Sequence, residues 1–323
     1  MSAAPAAAFH VGEQALQERV GVRERMAAVG PVVLRDQMPD QHRELFEKLP
    51  TLLLGALDGQ GQPWATMVAG PPGFVHTPDA GSMHLAVAPD AADPVLARLA
   101  PGAPVGVLGL EPHTRRRNRM NGRVAAFGAH GLEVSVAQSF GNCPKYIQAR
   151  APGLRAVVTP PAPAQVLGAG LDAAALGLIA RSDTMFIASA SAAHPGTRRN
   201  EGVDVSHRGG EPGFVHAEHT EQGQVLTLPD YPGNLFFNTL GNLALHPQAG
   251  LLWVDYEDGG LLHVAARAEL LWDEASRARW PGAQRVLRLQ VLGGIWRANA
   301  LPWRWTAAEL APQFSAMRAR VTG

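Results

Sequence analysis

The pentapeptide PGFVH stands at residues 72–76 and again at residues 212–216. Moving forward from both copies at that spacing (212 − 72 = 140), Pro89-Asp90 falls on Pro229-Asp230. Each Pro-Asp follows a short apolar segment, HLAVA in the first copy and VLTL in the second. Further on, PGAPVGVLGLE from Pro101 has the shape of PQAGLLWVDYE from Pro247, at an offset of 146, and Asn121-Gly-Arg-Val faces Ala265-Ala-Arg-Ala at 144. Ordered landmarks whose spacing drifts only by short insertions are what two copies of one fold produce.

The local signals within the copies agree. Residues 51–56 and 184–190 are apolar runs of strand length that end in Gly-containing turns. Second strands are expected at 64–68 and 203–207, and third strands at 83–87 and 224–228. A helix comes next, opened by Asp93-Pro94 in the first copy and spanning 234–245 in the second, where His246-Pro247 stops it. Two more strands follow in each copy, at 105–110 with 119–127 and at 250–254 with 261–270. Many strands with one inserted helix per copy predict a mainly β, α+β protein built of two small antiparallel barrels. Residues 13–28 and 39–48 have helix-forming composition, 151–164 reads as a Pro/Ala-rich linker, and 171–181 as the second copy's entry helix. A last strand is expected at 303–305 and a closing helix over 307–320. The chain therefore divides into an N-terminal helical segment (1–45), a first barrel (46–160) and a second (161–323).

Lys plus Arg and Asp plus Glu number 28 each, so no global field draws the protein to nucleic acid or to an anionic membrane. No apolar run approaches the ~20 residues of a membrane helix. The first residues carry acids early and no basic leader, so the expected location is the cytoplasm. Cys143 is the one cysteine, which excludes a disulfide framework and suits a reducing compartment. His216 and His219 lack an acidic partner motif, and no metal is expected. There is no P-loop, dinucleotide glycine fingerprint or nucleophile elbow.

The segment LPDYPGNLFFNTLGNLALHP (228–247) places a strand end, a Pro/Gly turn and a helix start in succession. The free amides of a helix N-terminus bind phosphate, and Asn234, Asn238 and Thr239 add neutral donors there, beside Tyr231. The first copy has Asp90 and Asp93 at this position. Two carboxylates repel a phosphate, so only the second copy is expected to bind one. The strand Asp204-Val205-Ser206-His207-Arg208 puts further donors beside that helix, with Arg208 able to pair with a phosphate. Lys48 and Lys145 are the only lysines, so a clamp must rest on Arg, Asn, backbone or Lys145. SFGNCPKYIQAR (139–150) reads as a lining, with Lys145 and Tyr146 as ligand contacts and Cys143 inert. The basic cluster at 114–119 reads as a solvated hairpin tip.

These residues resemble the pyridoxamine 5′-phosphate oxidase-like FMN-binding split barrels. The second copy carries the likeness in FIASA, GVDVSHRGGEPGFV, the LPDYPGN-to-NTLGN helix, HPQAGLLWVDYE and RAEL. The first copy, with FHVGEQALQERVGVR, QHRELF, RRRNRMNGRV and SFGNCPKYIQ, is similar to a bacterial subgroup of the same family. The resemblance implies two tandem split barrels with FMN at their seam. It also implies a homodimer, a small organic substrate and a redox partner that supplies electrons. The strand from Asp204 to Arg208 would run beside the isoalloxazine, and Tyr231, Asn234, Asn238 and Thr239 would surround the ribityl phosphate. The oxidases proper have Arg and Lys at the start of this helix, where this chain has Asn and Leu. FAD, a deazaflavin or haem serves in related barrels. The activity implied is a flavin-dependent oxidoreductase; the alternative is a flavin- or haem-binding carrier or electron-transfer protein without turnover.

Overall fold

The computed structural model describes residues 7–156, 160–221 and 223–314. Three helices lead the chain: α1 (Val11–Arg19), α2 (Arg23–Val33) and α3 (Asp40–Lys48). Gly21, at φ 70°, breaks the helix expected over 13–28 into α1 and α2. A capping box opens α1. The Glu13 side chain accepts from the His10 backbone N–H at 2.8 Å, and His10 Nδ1 accepts from Gly12 N–H at 3.1 Å.

The first sheet comprises β1 (Thr51–Leu57), β2 (Pro63–Ala69), β3 (Val75–His76), β4 (Ser82–Leu85), β5 (Pro104–Glu111), β6 (Arg116–Gly128) and β7 (Gly131–Gly141). After the short β8 (Pro152–Leu154), β9 (Gln165–Leu167) and α4 (Ala173–Arg181) comes the second sheet. Its strands are β10 (Thr184–Ala190), β11 (Val203–Gly209), β12 (His216–Thr220), β13 (Gly223–Asp230), β14 (Gln248–Val254), β15 (Leu261–Leu271) and β16 (Arg285–Arg297). Helix α5 (Asn238–Leu245) lies between β13 and β14, and α6 (Glu274–Arg277) between β15 and β16; β17 (Trp303–Trp305) pairs with β8.

The order β2-β1-β5-β6-β7-β4-β3 in the first sheet is repeated strand for strand as β11-β10-β14-β15-β16-β13-β12 in the second. Even the β-bulge recurs, at Asn121/Gly122 in β6 and Ala265/Ala266 in β15. Pro104 pairs with Arg123 as Gln248 pairs with Arg267, so the offset is 144 here and the 146 alignment of the Pro101 and Pro247 segments is two residues out.

Strand pleating explains the unbroken apolar runs. Leu52 and Leu54 point into the first sheet's own core, whereas Leu53 between them joins a third core at the seam of the two sheets. In the same way Met185 and Ile187 face the second core, and Phe186 and Ala188 face the seam. Both faces are buried, so neither strand alternates with polar residues. The packing is reciprocal: β2 crosses β14 and β15, and β11 crosses β5 and β6.

Several expectations are corrected. In the first copy only a single 3₁₀ turn, Leu96–Arg98, forms where a helix was expected. Asp93 does turn the chain into it, accepting from the Val95 and Leu96 amides, but Pro101-Gly102 arrives before an α-helix can propagate. In the second copy the helix starts at Asn238, not Asn234, because Leu235 and Phe237 adopt φ 65°. The expected linker 151–164 contributes β8 to a sheet. Strands β7 and β16, absent from the sequence reading, complete the two sheets. Residues 307–311 are not helical, and 315–320 of the expected closing helix lie outside the described residues.

Candidate functional site

Where β11 meets the start of β6, the two sheets leave a cleft of about 910 Å³, counting its open mouth. Residues 142–146, after β7, form one wall, and residues 229–240, running from the end of β13 into α5, form the other. Eight of the ten site residues expected from sequence line it: Lys145, Ser206, His207, Arg208, Tyr231, Asn234, Asn238 and Thr239. Asp204 and Val205 do not. Val205 points the opposite way along the pleat into the seam core, and Asp204 lies behind the cleft as an ion-pair partner.

Arg119 joins the two sheets. It donates to Asp204 Oδ2 at 2.6 Å, to Ser206 Oγ at 2.6 Å and to Asn238 Oδ1 at 3.1 Å. Ser206 in turn accepts from Thr239 Oγ1 at 2.7 Å. The Asn238 amide donates to Glu13 Oε1 at 2.5 Å, which brings in the N-terminal helix. Helix α1 can approach because Gly12 and Gly241 meet at the crossing: a Cβ on Gly12 would stand 2.2 Å from the Gly241 carbonyl oxygen. Burial pushes Glu13 up to about 8, with hydrogen bonds from His10 and Asn238 opposing the shift.

Among the described residues five cationic side chains line the cleft, Arg117, Arg119, Arg208, Arg285 and Lys145, against one carboxylate, Asp230. Asp230 is already shared between Arg208 (2.6 Å) and Arg285 (2.7 Å), and Arg119 is paired with Asp204. Among the described residues no carboxylate pairs with Arg117, and its Nε is buried without a hydrogen-bond partner. Burial pulls Arg117 down to about 9, reinforced by the Arg119 and Arg208 charges. The Arg117 guanidinium donates to His207 Nδ1 at 3.1 Å. Burial, then the charges of Arg117, Arg150 and Arg208, hold His207 well below its ordinary value, so it is neutral. Accepting at Nδ1, it carries its hydrogen on Nε2, which is buried and unpartnered.

Helix α5 presents its N-terminus to this cleft with no side-chain cap. The Asn234 side chain accepts from the Phe236 amide instead, and two left-handed non-glycine residues, Leu235 and Phe237, turn the chain into the helix. Such backbone strain concentrates at functional sites. At the mouth Tyr146 stacks on Tyr231, with ring centroids 5.2 Å apart, and Phe314 packs against both. Burial pushes Tyr231 up to about 12. The loop seats tightly on β11: a Cβ on Gly209 would lie 2.0 Å from the Tyr146 carbonyl oxygen.

Sequence reasoning missed Arg117, Arg119, Arg285 and Glu13. The 114–119 cluster is not a solvated tip from Arg116 onward: it enters β6, and Arg119 is only 5% exposed. One signal was present, since Arg117 and Arg119 share a strand face while Met120 takes the other.

The counterpart position in the first copy is filled by protein. By strand register Thr66 corresponds to Ser206, and His263 to Arg119. There Arg297 pairs with both Asp90 and Asp93, Thr66 donates to Asp93 at 2.5 Å, and His263 is fully buried against the Ala65 carbonyl at 2.8 Å.

No family model matches the chain, and no curated protein does. Among solved structures it is similar to HutZ, the haem storage protein from Vibrio cholerae, at 13% identity over 40% of this chain and 95% of that one, with a TM-score of 0.27. An FAD-binding protein from Mesorhizobium loti aligns at 13% identity over 42% of this chain and 97% of that one, with a TM-score of 0.25.

Proposed function

We propose that the chain is a flavoprotein of two tandem split β-barrels, residues 46–160 and 161–323, which holds one FMN in the cleft and acts as an oxidoreductase on a small organic substrate. The observation that carries this reading is Arg117, a half-buried guanidinium whose buried Nε has no hydrogen-bond partner and which has no carboxylate partner among the described residues, set in a cleft of five cations and one acid. A cation held partly out of water calls for an anion. The uncapped α5 N-terminus, Arg117 and Lys145 together suit a phosphate monoester. Arg thus supplies from β6 the charge that the oxidases proper carry at the start of this helix.

When bound, the flavin supplies the hydride chemistry, and the protein binds, orients and excludes water. Tyr146, Tyr231 and Phe314 would shield the mouth, and His207 offers an N–H donor to an acceptor on the ligand. That tautomer also speaks against His207 as a haem ligand, because iron needs a lone pair where Arg117 has directed the hydrogen. Arg297 and its two aspartates, filling the counterpart position, support one cofactor per chain. Because both walls come from one chain, the seam needs no second copy; a homodimer and an electron-supplying partner remain part of the proposal. Among the described residues no helix is long and apolar enough to cross a membrane.

The test is an absorbance spectrum of the purified protein with mass identification of the released cofactor. One FMN per chain is expected, reduced by a nicotinamide or another small donor. No flavin, even after incubation with FMN and FAD, would overturn the reading.

A further inference from the structure

A second cavity, about 820 Å³ with its mouth, opens on the far side of Asp204 and Asn238. It lies between the start of α1, the bulge of β6 and the loop 197–202 that leads into β11, and it shares only Asn238 with the first cleft among the described residues. Among the described residues, five of its polar side chains are more than nine-tenths buried: His10, Glu13, Gln138, Asp204 and Asn242. A floor of this kind is unusual unless its groups are satisfied. Two atoms are not, His10 Nε2 and Asn121 Oδ1.

The bonding pattern says what is missing. His10 Nδ1 accepts from Gly12, so the neutral ring carries its hydrogen on Nε2, 3.6 Å from Glu13 Oε2 and facing the Asn242 side chain, a contact that partly offsets the effect of burial without making a well-formed hydrogen bond. Burial lowers His10 to about 4 and raises Glu13 to about 8, so near neutral pH both groups are uncharged. The groups facing Glu13 are His10 from its own helix, Asn238 from α5, Asp204 from β11 and Arg119 from β6. The floor therefore presents an imidazole N–H and a carboxyl O–H close together, and two converging donors ask for an acceptor oxygen. Asp204 already accepts from Arg119 at Oδ2 and from Ser206 at Oδ1, and makes no hydrogen bond to His10 or Glu13. The mouth is cationic. Among the described residues Arg123 donates to the carbonyls of Gly102 and Gly196 and pairs with no carboxylate, and Arg198 has one loose partner, Glu201 at 3.9 Å.

We propose that this cavity binds a small carboxylate, one oxygen accepting from His10 and Glu13 while the anion faces Arg123 and Arg198. The site does not depend on the flavin reading, and the two ligands would occupy opposite sides of Asn238.

Calorimetric titration of the full chain with acetate, malonate and succinate at pH 6.5 and fixed ionic strength tests it, with and without FMN. Saturable one-to-one binding of at least one of these anions is expected. It should weaken about tenfold in His10→Ala and measurably in Arg198→Glu, and fade as Glu13 ionises above its raised value. The Arg198 side chain is 81% exposed, so its reversal leaves the core intact. Arg117→Gln should not change the affinity. Absence of saturable binding by all three anions overturns the proposal. So does an affinity that falls with Arg117→Gln and not with Arg198→Glu, which would place the anion in the first cleft.

Discussion

The Arg119 guanidinium donates to Asp204 across 2.6 Å, with each side chain no more than 6% exposed, and so ties β6 of one sheet to β11 of the other. Replacing Asp204 with Ala leaves Arg119 buried with only Ser206 and Asn238. Breaking one half of a buried pair costs roughly 3–5 kcal/mol. Urea unfolding of Asp204→Ala should show a loss of that order, and a change within experimental error would mean that the seam does not rest on this pair.

Arg117 should behave in the opposite way. Arg117→Gln keeps a donor for His207 but removes a half-buried charge that has no carboxylate partner among the described residues, so the ligand-free protein should be about as stable as the parent. FMN affinity should nevertheless fall at least tenfold, about 1.4 kcal/mol. A variant that is clearly destabilised and binds FMN normally would make Arg117 structural.

Stability should respond to pH through one carboxyl and two imidazoles that act with opposite sign. The folded Glu13 value is raised from 4.5 to about 8 by burial, so between those values the folded state holds a proton that the unfolded state has lost. Its contribution is full below 4.5 and declines as pH rises to about 8. His10 and His263, both lowered by burial from 6.5 to about 4, contribute above 6.5, and that contribution is lost as pH falls toward 4. Denaturant titrations at stepped pH should show the alkaline decline flattened in Glu13→Gln; an unchanged profile would exclude Glu13 as its source.

In the first copy, Arg297→Met removes the cation shared by Asp90 and Asp93. A stability loss of about 3–5 kcal/mol is expected, with the flavin count still one per chain. A second bound flavin in the parent would show that this position is not closed.

Much of the fold was legible because its strands have two buried faces. The run at 184–190 needs no alternation to be read, since Phe186 packs on the seam and Ile187 on the second core. Strands β7 and β16 were passed over because their sequences mix polar and apolar residues, and only pairing with β6 and β15 assigns them. The Asp93-Pro94 signal did mark a turn, but the seven residues before Pro101-Gly102 could not sustain a helix. At the site, His207, Arg208 and Asn238 were legible because strand end, turn and helix are contiguous. Arg117 was not, because a run of arginines is ordinarily solvated, and only a second sheet folding over β6 half-buries this one. Glu13 closes a capping box whose N-cap is His10, not one of the Ser or Thr residues that signal a box in sequence, and nothing local shows that its other oxygen meets Asn238, 225 residues away.

The central claim is that the cleft is built around a phosphate. Equilibrium dialysis of FMN against riboflavin, on the parent and on Arg117→Gln, tests it most directly. The account predicts that the parent prefers FMN by more than tenfold, about 1.4 kcal/mol, and that the preference shrinks in the variant. Equal affinity of the parent for the two flavins would contradict it.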